Sequence, residues 1–83
     1  MSFSDYRTAL VTGASSGIGA GIVERLCREQ ILVHAMARSA EPLQKLAEKT
    51  GCIAHVIDVT NRTALAELRA RVEFDILVNN AGV

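Results

Sequence analysis

The stretch Thr12-Gly13-Ala14-Ser15-Ser16-Gly17-Ile18-Gly19 sits between an apolar run, Thr8 to Thr12, and a segment whose apolar residues recur every four positions. That change of period predicts a strand turning directly into a helix. Three glycines at this spacing have separable uses. Gly13 suits the tight turn, Gly17 keeps a side chain away from the mouth of the turn, and Gly19 lets helix and strand approach closely. A helix that opens this way presents unpaired N–H groups and about half a positive charge, so it favours an anion without help from a basic side chain. The dinucleotide pyrophosphate is the anion such glycine turns receive, with Ser15, Ser16, Gly17 and Ile18 around it. A glycine-rich turn that binds nothing is the plainer alternative.

Outward from this turn, short apolar runs alternate with amphipathic ones, the pattern of parallel strands joined by crossover helices. Four strands are predicted, at Thr8 to Thr12, Ile31 to Ala37, Cys52 to Asp58 and Asp75 to Asn79. Their near-continuous hydrophobicity suits strands covered on both faces. The first helix should begin near Gly17 and bury Ile18, Ile22 and Leu26, with Glu24, Arg25 and Arg28 facing outward. A second should run from about Pro42 to Thr50, stopped by Gly51, with Leu43 and Leu46 inward. A third should follow Thr60 or Asn61 as cap and bury Leu65, Leu68 and Val72. The fold class is therefore α/β, a partial doubly wound parallel sheet of the Rossmann type. Right-handed crossovers give it the strand order 3-2-1-4. The first and fourth strands then lie side by side, and their carboxyl ends flank the switch point where open parallel sheets bind ligands.

Composition narrows the function classes. The 83 residues are 49% hydrophobic and 22% charged, with nine basic residues balancing nine acidic ones. No net field draws nucleic acid or an anionic membrane, so neither is expected as a partner. The N-terminus lacks a signal-peptide pattern, and no apolar run approaches the roughly 18 residues of a membrane span, so the expected location is cytoplasmic. Cys27 and Cys52 form no CxxC pair and are read as buried reduced thiols. His34 and His55 have no partners at metal-ligand or triad spacing; solvent-facing or core roles are expected, and no metal site.

Three motifs in fixed order, TGxxxGIG from Thr12, the pair Asp58 and Val59 ending the third strand, and NNAG from Asn79 to Gly82, together resemble the short-chain dehydrogenase/reductase family. The resemblance covers essentially the whole chain and matches the cofactor-binding half of that family, as a single domain over residues 1–83. It implies that Asp58 meets the adenine amino group, with Val59 beside it. It also implies that Asn80 helps order the sheet while the backbone of Asn80, Ala81 and Gly82 lines the cofactor. A loop or helix-capping carboxylate is the alternative for Asp58.

The choice of cofactor turns on the end of the second strand, where an acidic residue would bond the ribose hydroxyls of NAD. Ala37 stands there, followed by Arg38, whose guanidinium suits a ribose phosphate. NADP is expected over NAD, although Ser16 stands where many NADP-preferring relatives carry a basic residue. An ordinary surface arginine is the alternative reading of Arg38.

In the family, proton transfer uses a Tyr, a Lys four residues later and an upstream Ser, and none of that set is found in these 83 residues. Tyr6 precedes the first strand and is followed at the fourth position by Leu10. No catalytic residue is therefore assigned, and the chain by itself is expected to be inactive. A carbonyl or alcohol substrate would be met by a catalytic half lying outside this sequence. An outer strand as apolar as Asp75 to Asn79 also needs cover, so a homo-oligomer or a complementing chain is expected. A nucleotide-binding or interaction module without catalysis is the alternative of a different class.

Overall fold

The computed structural model describes residues 7–15, 17–58 and 60–80. Its elements run β1 Thr8–Thr12, α1 Gly17–Arg28, β2 Leu32–Ala37, α2 Ala40–Thr50, β3 Ile53–Val56, α3 Arg62–Arg71 and β4 Ile76–Asn79. All strand pairings are parallel and the sheet order is β3-β2-β1-β4, the partial Rossmann arrangement that alternating periods predict.

The two faces of the sheet are covered unequally. On one, α1 and α2 pack over Val11, Val33, Ala35 and Ala37, with Leu43 and Leu46 of α2 buried as expected. On the other, Leu10 and Met36 meet Leu68 of α3, and all three are essentially inaccessible. Leu65 and Val72 are only partly buried beside them. One short helix cannot cover four strands, and Leu32, Ile53 and Leu77 remain about half exposed, at 49%, 41% and 50%. Of the two inner strands, β1 comes nearest to the full cover on both faces that the hydrophobicity suggests, with four of its five residues buried.

Several expectations are corrected in detail. Ile18 is not part of the buried stripe of α1; it is 71% exposed, while Gly19 and Val23 are the buried positions. The first turn of α1 meets the β1 turn through Gly19, so the face one residue away is left looking past the sheet. Glu24 does not merely face solvent, since its carboxylate pairs with Lys49 of α2 at 3.0 Å. Cys52 is buried but Cys27 is only partly so; both are free thiols. Burial pushes the Cys27 thiol up, against a hydrogen bond from Thr50. The second helix begins two residues before Pro42, at Ala40, with Ser39 in extended conformation ahead of it. Asn61 caps α3, its Oδ1 accepting from the Ala64 N–H at 3.1 Å. Gly51 ends α2 in the left-handed region, φ 80°, where glycine carries no Cβ penalty.

Candidate functional site

The parallel register sets Thr12 beside Asn79, so the ends of β1 and β4 meet at the switch point. Thr12 is nearly buried, and its hydroxyl is the hub there. Its Oγ1 lies 3.0 Å from Asn79 Oδ1 and 3.4 Å from the Val78 carbonyl, and it accepts from the Asn80 N–H at 3.0 Å. Asn80 Nδ2 in turn donates to the Gly13 carbonyl at 3.2 Å. Asn80, directly after β4, is thereby tied to the glycine turn by side chain and backbone alike. From the opposite side, the Ala14 N–H donates to the Met36 carbonyl of β2 at 3.0 Å.

Within the turn, Gly13 has φ 63°, in the left-handed region that favours glycine. Gly19 is crowded: a Cβ built there would press against the Gly13 carbonyl oxygen and lie 2.9 Å from Asn80 Nδ2. Gly17 is the opposite case, for a Cβ there meets none of the described residues beyond its own turn within 4 Å. The turn is thus closed where helix and strand touch and open at its mouth. No acidic residue occupies the first turn of α1, so nothing on the helix itself opposes an anion at its N-terminus. Ser15 is half-buried and Ile18 exposed beside this opening. These features fit a diphosphate-bearing ligand held by main-chain N–H groups. Ser16, Val59, Ala81 and Gly82, named from the sequence, lie outside the described residues, as does Tyr6.

A second group of candidates gathers at the ends of β2 and β3. The Ile57 N–H donates to the Ala37 carbonyl at 3.0 Å, continuing the pairing beyond β3. Arg38 and Asp58 follow these two residues directly, so they emerge on the same rim of the sheet. Asp58 Oδ1 accepts from the Thr60 N–H at 2.9 Å and the Thr60 hydroxyl at 2.8 Å. These two bonds hold its carboxyl below the usual carboxylate range; desolvation opposes them, and the positive charge of Arg38 adds the smallest contribution in their favour.

Sequence reasoning missed one pair. His34 Nδ1 and His55 Nε2 are 2.9 Å apart, with the rings stacked at a centroid distance of 5.2 Å. The separation of 21 residues carries no signal; only the β2–β3 register, which sets Met36 beside His55 and His34 beside Ile53, brings the rings together on the face that α3 incompletely covers. Desolvation pushes both imidazoles below their ordinary value of 6.5, and the charges of His34 and Arg71 push His55 further. Folded pKa values below the unfolded ones mean that this stabilisation is present above pH 6.5 and is lost as pH falls through the lowered values. Thermal unfolding followed from pH 7 to pH 5 should show a falling midpoint, and His34→Gln with His55→Gln should flatten that slope. The Asp58 contribution is lost in a separate window, below its ordinary value of 3.8. Among the described residues no three His, Cys, Asp or Glu side chains gather as a metal site. No described helix is long and apolar enough to cross a membrane.

The parallel order, with the glycine turn at the switch point and the Asn80 clasp, defines an α/β fold of the Rossmann type. The profile of the short chain dehydrogenase family matches residues 7–83, and the chain belongs to that family. It is 38% identical over 78 residues to an uncharacterized short-chain type dehydrogenase/reductase of Sinorhizobium fredii, covering 94% of this chain and 32% of the relative. It is 40% identical over 81 residues to the NADP-dependent 3-hydroxy acid dehydrogenase of Escherichia coli strain K12, covering 89% and 33%. Among solved structures, an actinorhodin polyketide ketoreductase variant with NADPH superposes with a TM-score of 0.86 at 35% identity, over 98% of this chain and 35% of that one. A metagenomic short-chain oxidoreductase in complex with NADP gives 0.77 at 34% identity, over 93% and 39%. The chain spans about a third of the length of these relatives.

Proposed function

We propose that this chain is the cofactor-binding portion of an NADP-dependent short-chain oxidoreductase. When bound, the nicotinamide supplies hydride transfer to or from a carbonyl or alcohol carbon. The reading rests above all on the open space at Gly17, at the mouth of the β1–α1 turn, with Arg38 and Asp58 on the neighbouring strand ends. Main-chain N–H groups at the start of α1 hold the pyrophosphate, and Gly17 leaves it room. Arg38, exposed at the end of β2, takes the ribose phosphate, and Asp58 takes the adenine amino group. Asn80 keeps the loop after β4 against the turn. Proton transfer and substrate selection belong to a Ser, Tyr and Lys set outside these 83 residues, so the segment by itself turns over no substrate. A homo-oligomer or complementing chain in the cytoplasm completes the proposal; the half-exposed Leu77 of the outer strand supports the need for such cover.

Fluorescence titration with NADPH and NADH tests it. Arg38→Asp replaces a phosphate-binding cation with a repelling carboxylate and should weaken NADPH roughly 10- to 100-fold while NADH changes little. Equal losses for both would remove the assignment of Arg38, and an unaltered protein that binds neither would remove the function.

A further inference from the structure

A carboxylate on a rim turn turns freely about two side-chain torsions, and a ligand that needs one of its oxygens in one place must first arrest it. In this chain a single neighbour does so. The Thr60 N–H and hydroxyl both fall on the same oxygen of Asp58, Oδ1, at 2.9 and 2.8 Å. The Asp58 carbonyl accepts from the Asn61 N–H at 2.9 Å, which closes the turn that carries both residues. Asn61 then caps α3, so the turn is anchored to a helix rather than left as a free loop. Oδ2 enters no hydrogen bond or ion pair among the described residues, which leaves one carboxylate oxygen committed and one available.

We propose that Thr60 is a positioning residue for adenine selection, its paired donors on Oδ1 presenting Oδ2 of Asp58 to the amino group of the base. The inference rests on the nucleotide reading above and adds a residue to it: Thr60 acts through Asp58 and need not touch the ligand. Both Thr60 bonds favour the charged form of Asp58, in which each carboxylate oxygen is an acceptor. The backbone N–H survives any substitution at position 60 except proline, so the hydroxyl is the part that a conservative variant removes.

The test compares Thr60→Val, which keeps the shape and loses the hydroxyl, with Thr60→Ser, which keeps it. Two reduced ligands are titrated, NADPH and its analogue with hypoxanthine in place of adenine, where a carbonyl replaces the amino group and meets the carboxylate unfavourably. The unaltered protein should prefer NADPH. Thr60→Val should weaken NADPH roughly fivefold, the scale of one hydrogen bond at an exposed charged group, and leave the analogue within about twofold. Thr60→Ser should restore the preference. Thermal unfolding of each variant shows whether the turn itself has survived. Equal losses on both ligands, or a Val variant that keeps full discrimination, would overturn the role of Thr60 while leaving nucleotide binding in place. Failure of the unaltered protein to bind NADPH at all would overturn the nucleotide reading and this inference with it.

Discussion

Gly19→Ala is expected to lower the thermal unfolding midpoint by about 4–24 °C. The added carbon would collide with the carbonyl oxygen of Gly13, stand 2.9 Å from Asn80 Nδ2 and 3.0 Å from the Ala14 Cα. Two of these neighbours are backbone, held by a left-handed residue and by the hydrogen bond from Ala14 to Met36, so neither can swing aside. Relief requires α1 to move off β1, because a shift of Asn80 would remove only the 2.9 Å contact. Overpacking of this kind costs about 1–3 kcal/mol, and in a domain of this size each kcal/mol shifts the midpoint by about 4–8 °C. Gly21→Ala is the internal control. A Cβ there meets nothing within 4 Å, and alanine in a helix interior should stabilise by about 0.5–1 kcal/mol. Circular dichroism melts of both variants decide the matter; matching midpoints would mean that the close approach at Gly19 is unimportant to the fold.

Gly17→Val should leave the melt nearly unchanged and reduce binding of both NADPH and NADH by at least about 100-fold. The two halves of that expectation have one origin. Among the described residues, none beyond its own turn lies within 4 Å of a Cβ at Gly17, so the fold has little to lose by filling the space, whereas a pyrophosphate seated on the start of α1 does. A branched side chain there both obstructs the phosphates and lengthens their distance from the N–H groups. Isothermal titration with each dinucleotide provides the measurement. Undiminished affinity would place the diphosphate elsewhere and remove the main contact proposed for this chain.

The fold was legible because its information is local. Each strand is an apolar run bounded by turn residues, each helix has its own period, and the handedness of crossovers leaves little freedom in the order of strands. The boundaries of β1 and the start of α1 follow from the glycine turn alone. Ile18 was misread because a four-residue apolar spacing does not say where a helix leaves the sheet; its first turn touches β1 through a glycine, which no hydrophobic pattern can mark. The unequal cover of the two faces was partly foreseeable, since three helices must serve four strands.

At the site, Gly13, Gly17 and Gly19 could be assigned separate geometric uses before any coordinates, since glycine is informative wherever backbone geometry is constrained. Thr12 could not, because its hydroxyl acquires its partners only when β4 is brought alongside β1 across 66 to 68 residues of sequence. The imidazole pair is equally a product of strand register. Thr60 lies between these cases: a hydroxyl two residues beyond an aspartate is a local pattern, but which carboxylate oxygen it engages is visible only in three dimensions.

The Gly13 carbonyl accepts from Asn80 and stands beside Gly19, so one peptide group belongs at once to the opening of the first crossover and to the far strand. Two regions joined through a common acceptor exert mutual influence, and thermodynamic linkage makes that influence symmetric. Under the nucleotide reading proposed above, whatever factor the seating of Asn80 on this carbonyl contributes to capture at the loop is the factor by which a captured nucleotide holds Asn80 in place.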